Sequence, residues 1–320
     1  MAPRIQIIPT GNLGNQMLQL MLAESLKANV PGLEIGGVSL PDWGQYRRLQ
    51  QPLQPNRLRL IGQYVDMLLL QRLLTQGVLK ELEVAALGFR MAHYLPRQVF
   101  QQMFQPKGFV ARDEFSDALL INVRGAEILK DTHEDYGPIA VSFYKQLSQA
   151  TALRPVFMGQ IGSDAYSMEL RAAFPGALFL ASRGPMGDFE LMRSARHLVI
   201  SVSTFSWLAA WLSEAESIHV PVSGILNPLQ RPDIDLLPVE DPRYRFYRFP
   251  VRRWKGTQEQ FKELTQPSDF EEMRGSQVRN ALQEGRTLLE AGVSRYRRTL
   301  VACAWAHKFF GYSPRVRASF

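Results

Sequence analysis

The sequence predicts an α/β protein of two doubly wound, parallel-sheet domains, and three observations predict it. At 320 residues the chain is too long for one small core and suits two domains with a cleft between them. Between Arg154 and Val222, short apolar runs alternate with amphipathic stretches, the pattern of strands and covering helices in a parallel sheet. At the other end, an apolar run from Arg4 to Pro9 passes through the turn GNLGNQ, Gly11 to Gln16, into apolar residues at Leu18, Met21, Leu22 and Leu26. That spacing is one face of a helix, so the turn joins a strand to a helix.

The elements follow in order. After a Pro- and Arg-rich stretch, Arg59 to Ala92 is rich in leucine and reads as mostly helical. DALLINVRG, Asp117 to Gly125, reads as a buried strand that ends on an arginine and a glycine. RPVFMGQIG (Arg154 to Gly162) reads as a strand, DAYSMELRAAF (Asp164 to Phe174) as a helix and ALFLA (Ala177 to Ala181) as a strand. GDFELMRSAR (Gly187 to Arg196) reads as a helix, HLVISV (His197 to Val202) as a strand, STFSWLAAWLSEAE (Ser203 to Glu216) as a helix and SIHVPV (Ser217 to Val222) as a strand. Beyond Val251 the alternation stops and the remainder reads as helices. The expected organisation is therefore a first domain over 1–115, a second over 116–250 and a basic helical tail over 251–320.

Composition narrows the class. With 46% hydrophobic and 21% charged residues, the chain is of soluble globular type. A lone cysteine, Cys303, excludes an internal disulfide and a multi-cysteine metal site and suits a reducing compartment. No leader-like N-terminus is present, and no apolar run approaches the roughly 18–20 residues that span a bilayer. The expectation is a cytoplasmic protein without a transmembrane anchor. The net charge is +7, and residues 251–320 hold thirteen Lys or Arg against seven Asp or Glu. Such a tail fits a solvated basic face or contact with an anionic membrane surface. No nucleic-acid-binding motif accompanies it, so nucleic acid is not an expected partner.

Several residues could carry chemistry. Ser203 and Thr204 stand where the cap of the STFSW helix belongs, and a helix start behind a buried strand suits a phosphate as well as simple capping. Arg124 ends a buried strand, where its planar fork fits a phosphate pair or an interdomain salt bridge. Asp188 would cap its helix or accept from ribose hydroxyls. The acidic loop EILKDTHEDYG offers Glu127, Asp131, His133, Glu134 and Asp135, any of which could take a proton from an acceptor hydroxyl or simply be solvated. Asp233 to Asp235, DID, has the D-x-D spacing of metal-dependent sugar transferases, but it lies in a proline-flanked loop past the last clear strand–helix unit.

Three segments together resemble the GDP-fucose-dependent fucosyltransferase superfamily, closest to its α-1,2 branch. GNLGNQMLQ (Gly11 to Gln19) is similar to the family's GxLGNQxFQ, and NVRGAE (Asn122 to Glu127) to its HxRRGD. DFELMRSARHLVISVSTFSWLAAWL (Asp188 to Leu212) is similar to DLxLMxxCxxxIxSNSTFSWWxAWL. The resemblance covers roughly residues 5 to 222 and implies a GT-B fold, two Rossmann-like domains facing a cleft. It implies an inverting, metal-independent transfer of L-fucose, or a similar GDP-linked deoxyhexose, to a hydroxyl of a glycan or lipid-linked oligosaccharide, as in surface polysaccharide synthesis. No cofactor beyond the GDP-sugar is implied. Arg124 matches the arginine that grips the leaving diphosphate, assisted at the acceptor by Glu127 or Asp135. Asn15, between Gly14 and Gln16, matches the residue that reaches the donor. Ser203, Thr204 and Phe205 match the phosphate and nucleoside shelf, and Asp188 the acidic residue before it.

The second motif is degraded. The family's His is Asn122, placed here at the donor as well; its second Arg is Gly125, its Gly is Ala126 and its Asp is Glu127. The lost cation leaves two alternatives open: a non-catalytic nucleotide-sugar-binding module, and a transferase of another donor that uses DID with a divalent metal. On the resemblance, the glycines of GNLGNQ let the backbone turn tightly and its amides hydrogen-bond a sugar phosphate.

Overall fold

The computed structural model describes residues 2–54, 57–106, 114–130, 133–312 and 314–318, without the side chains of Glu127 and Lys130. The chain divides into two compact units. One comprises Met1–Phe109, Pro232–Leu236 and Gly285–Phe320; the other comprises Val110–Arg231 and Leu237–Glu284.

The first unit opens with β1 (Arg4–Ile7), α1 (Leu13–Asn29) and β2 (Glu34–Gly36), followed by a small hairpin of β3 (Val38–Leu40) and β4 (Gln45–Arg47). It continues with β5 (Leu58–Ile61), α2 (Met67–Thr75), β6 (Glu81–Val84) and α3 (Arg97–Met103). Strands β5, β6, β1 and β2 lie side by side in that order, all parallel. The expectation that Arg59 to Ala92 is mostly helical is corrected: β5 and β6 flank one short helix. In β5, Leu58 and Leu60 are buried while Arg59 and Ile61 are half-buried, the period of a strand. The charges of these strands are paired across the sheet. Arg59 stands opposite Glu83 and bonds it at 2.5 Å, and Arg4 stands opposite Glu81 and pairs with it. Cross-strand pairs of this kind let a sheet carry charge at its core edge.

The second unit begins with β7 (Ala118–Val123), α4 (Glu127–Lys130), α5 (Val141–Thr151), β8 (Arg154–Gly159), α6 (Ala165–Ala173) and β9 (Leu178–Phe179). It continues with α7 (Gly184–Ser194), β10 (His197–Val199), α8 (Thr204–Leu212), β11 (Ser217–Val222), β12 (Tyr244–Arg248), α9 (Gln258–Thr265) and β13 (Glu271–Met273). The sheet order is β13-β12-β11-β10-β7-β8-β9, parallel except for β13. The chain runs outward from β7 through β8 to β9, then returns to the other side of β7 with β10. The direction of winding therefore reverses between β7 and β10, and in open parallel sheets ligands bind beyond the carboxyl ends of the strands at that point. Phe143, Phe157, Phe189 and Trp207 are fully buried beneath it. The expected class, α/β with two parallel-sheet units, is what the structure contains.

The region past Val251 is not a separate helical tail. Strand β13 joins the second unit's sheet, the long helix α10 (Gly275–Phe310) runs from residues of the second unit into those of the first, and β14 (Arg315–Arg317) pairs in parallel with β5. The sequences EEM and RVR carry no apolar run; an available sheet edge, rather than propensity, makes them strands.

Ala152, the C-cap of α5, has φ 54°, a left-handed conformation that a Cβ disfavours. Ala152→Gly is expected to stabilise the protein by about 0.5–1 kcal/mol. The measurement is the thermal midpoint, which should rise by about 2 °C.

Candidate functional site

At the reversal point of the second unit, Arg124 directly follows β7, and Ser201 to Ser203 follow β10 and lead into α8. Ser203 caps α8 from an extended backbone, its Oγ accepting the Phe205 N–H at 3.2 Å. The first amides of a helix lack intrahelical partners and carry the positive end of its dipole, so this start favours an anion. Thr204 is buried, and Phe205 meets the buried Phe189 ring edge-on at 5.3 Å.

Short polar side chains fix the helix start to the strand that carries Arg124. Ser201 Oγ donates to Asn122 Oδ1 at 2.7 Å, and Ser201 Oγ and Ser206 Oγ lie 3.1 Å apart. The Ser206 Oγ also donates to the Ser201 carbonyl at 3.2 Å. Asn122, expected at the donor, is buried in this network; its carboxamide oxygen holds Ser201, and the residue supports the site from below. Sequence reasoning missed Ser201 and Ser206, although both lie inside the VISVSTFSW stretch.

The Arg124 side chain is half-buried, with its guanidinium carbon 4.7 Å from the centroid of the Tyr136 ring. Burial pushes the Tyr136 hydroxyl pKa up, against the opposing charges of Arg124 and Arg231. Next to it, Asp135 is held on both carboxylate oxygens. Its Oδ1 accepts from Gln230 Nε2 at 2.9 Å and its Oδ2 from an Arg231 guanidinium nitrogen at 3.0 Å, while its backbone carbonyl accepts the Ile225 N–H at 3.1 Å. A general base needs a carboxylate oxygen turned to substrate. Asp135, expected as such a base, anchors the segment that places Tyr136 under Arg124, and each of its oxygens keeps a second lone pair. Glu127 is the first residue of α4, its side chain outside the described residues, and Asp131 also lies outside them.

Gly125, where the resembled motif carries its second arginine, packs tightly against the loop after β8. A Cβ there would lie 2.6 Å from the Gln160 carbonyl oxygen, a distance side chains do not tolerate. The loop after β8 runs so close that a side chain at position 125 would require it to move.

Asp188 ties down the start of α7. Its Oδ2 accepts from Ser182 Oγ at 2.6 Å and its Oδ1 from the Arg183 N–H at 2.9 Å. Further along, Glu190 has both carboxylate oxygens buried without a hydrogen-bond partner, and an Arg193 nitrogen lies 3.8 Å away. Burial, only partly offset by Arg193, pushes its pKa from 4.5 up to about 7. The folded state thus favours the protonated form. The group's stabilising contribution is complete below 4.5 and is lost as pH rises through about 7. The parent's thermal midpoint is expected to decline between pH 5 and pH 8, and Glu190→Gln to flatten that decline and to melt higher than the parent at pH 8. Melting both proteins across that range checks it.

In the first unit, the GNLGNQ turn stands at the carboxyl end of β1. Gly11 has φ +70°, and a Cβ on it would lie 2.3 Å from Asn15 Nδ2, so the glycine makes room for that side chain. The Asn15 and Gln16 N–H groups both donate to the Asn12 carbonyl, at 2.9 and 3.2 Å, and Gln16 Nε2 donates to the Gly11 carbonyl at 3.1 Å. Gly14 is buried in the first turn. Gln19, which the sequence left without a role, is fully buried. Its Oε1 accepts the Thr10 N–H at 3.0 Å and its Nε2 donates to the carbonyls of Ile8 and Ala86 at 3.1 and 3.3 Å. It therefore clamps the ends of β1 and β6 together beneath the turn.

The DID segment belongs to the first unit and is a structural ion pair. Asp235 Oδ2 lies 3.3 Å from an Arg286 nitrogen and 3.6 Å from an Arg90 nitrogen. Its backbone bridges Phe89 and Met91 at 2.8 Å on each side. Two guanidinium groups on that carboxylate oppose a divalent cation there, which weighs against the alternative that used DID with a metal.

Residues 172–227 match the model of Glycosyl transferase family 11, a span that contains Asp188 and Ser203 to Phe205. No curated protein matches the chain. Among solved structures it is similar to FUT1 of Arabidopsis thaliana in complex with GDP, at 15% identity and a TM-score of 0.47 over 69% of this chain and 70% of that one. It is similar to the E. coli heptosyltransferase WaaC with ADP, at 11% identity and a TM-score of 0.39 over 88% and 99% of the two chains. It is also similar to TibC, an iron-containing dodecameric glycosyltransferase of enterotoxigenic E. coli, at 13% identity and a TM-score of 0.41 over 94% and 77%.

Proposed function

We propose that this chain, with its family 11 glycosyltransferase segment at residues 172–227, transfers L-fucose or a similar deoxyhexose from GDP to a glycan hydroxyl, with inversion and without a metal. The observation that carries the proposal is the joining of Arg124 to the α8 start at the reversal point of the sheet, through Asn122, Ser201 and Ser206. As the bond from the sugar carbon to the β-phosphate oxygen breaks, its electron pair moves onto the diphosphate. The Arg124 fork and the first α8 amides are fixed groups suited to that growing charge. Phe205, braced by Phe189, offers the nucleoside an apolar surface. Asn15 and Gln16 are assigned to the donor sugar. Glu127 or Asp135 is assigned to receive the acceptor's proton.

The close approach of the Gln160 carbonyl accounts for a glycine at position 125, while the missing cation keeps the non-catalytic module as the second reading. The guanidinium partners of Asp235 weigh against a metal-dependent transferase. Calorimetric titration with GDP, GDP-fucose, UDP and a UDP-sugar, each with and without a chelator, tests the proposal. Binding of GDP and GDP-fucose that is indifferent to chelator is the expected result. Preference for UDP, or binding lost with the chelator, would overturn the assignment of donor and mechanism.

A further inference from the structure

From Ala291 to Phe320 the sequence holds six Lys or Arg and no Asp or Glu. In the first unit this region forms the end of α10 and β14. Arg298, Ala302, Trp305 and Phe309 recur at helical spacing along one face of α10. Four large aromatics are exposed there: Trp305 by 41%, Phe309 by 67%, Phe310 by 85% and Tyr312 by 63%. The Trp305 and Phe309 rings stack at 5.5 Å, and the Lys308 ammonium lies 5.1 Å from the Trp305 ring centroid. One turn earlier, a groove of about 630 Å³ between α2 and α10, lined by Leu68, Leu69, Arg72, Arg298, Val301 and Ala302 together with the Arg297–Asp66 ion pair, whose carboxylate is buried, prolongs the strip. Arg315 and Arg317 of β14 are also exposed.

Single exposed apolar residues are ordinary, but a contiguous aromatic strip edged by cations marks a surface that something covers. The charge decides among occupants. A second copy would bring the same cations against each other across a two-fold axis, with no acid in this stretch to answer them. A lipid surface rich in phosphate supplies the missing charge, and aromatic side chains with an apolar body and a polar edge favour the headgroup layer. No described helix is long and apolar enough to cross a membrane, so the contact is with a surface.

We propose that this face docks the protein on an anionic lipid bilayer. Trp305, Phe309 and Phe310 enter the headgroup layer, while Arg298, Lys308, Arg315 and Arg317 meet lipid phosphates. This assignment is independent of the donor reading above. The test is co-sedimentation of the whole chain with vesicles of phosphatidylcholine, alone or equimolar with phosphatidylglycerol. The protein is expected to bind only the mixed vesicles and to release as salt is raised. Trp305→Ser/Phe309→Ser/Phe310→Ser should weaken binding at least tenfold, and Arg298→Gln/Lys308→Gln by about fivefold per charge. All five side chains are exposed, so thermal midpoints should match the parent's. Absence of binding to mixed vesicles, or equal binding by the aromatic variant, would overturn the proposal. So would a parent that fails to bind vesicles and is dimeric by light scattering, with the aromatic variant monomeric.

Discussion

Arg124→Ala is expected to lower kcat by about 10²–10³-fold while the protein remains folded, because one preorganised charge aimed at a leaving diphosphate is commonly worth that much. The fold should survive because the half-buried side chain lies against Tyr136 and outside the buried body of β7, whose six residues are all buried. Loss of the contact between guanidinium and ring costs about 0.5–1 kcal/mol at a partly exposed site. Arg124→Lys separates charge from geometry: the ammonium keeps the charge but cannot present two parallel N–H groups, so an intermediate rate is expected. Calorimetry on the same variants should show GDP binding weakened in both, more in the alanine. Transfer by Arg124→Ala at the parent's rate would remove Arg124 from the mechanism, whatever the donor proves to be.

Much of the second unit was legible in the sequence because its signals are local. β7, β8, β10 and β11 are short apolar runs, and Asp164 and Ser203 cap the helices they precede. The same locality made Arg124 and the α8 start readable, since a strand end and a cap announce themselves within a few residues. Longer-range commitments were not readable. Nothing within the loop tells that Asp135 bonds Gln230, 95 positions away, or that Asp235 meets Arg286, 51 positions away. Leucine content misled in β5 and β6, where a leucine-rich stretch reads as helical until the cross-strand partners of Arg59 and Glu83 are known. Gly125 was read as a lost cation, although the approach of Gln160 also accounts for a glycine there.

Gln19→Ala is expected to destabilise the protein by about 2–4 kcal/mol and to impair donor handling, although Gln19 lies wholly inside the fold. The side chain meets three backbone groups, and they do not suffer equally from its loss. The Ile8 carbonyl also accepts from Thr10 Oγ at 3.0 Å and keeps a partner. The Thr10 N–H and the Ala86 carbonyl lose the Gln19 bonds described above, and a buried group left unsatisfied costs about 1–3 kcal/mol. The cavity left by the removed atoms adds to this. A fall in thermal midpoint of about 8 °C is the corresponding readout. Gln19→Met distinguishes the causes: it fills most of the volume and restores none of the bonds, so it should recover the cavity part alone. Because Thr10 directly precedes Gly11, the freed N–H loosens the turn that holds Asn15, and KM for the donor should rise more than kcat falls. A midpoint within 1 °C of the parent's in both variants would show that the turn is fixed by the Asn12 carbonyl bonds to Asn15 and Gln16 without help from below.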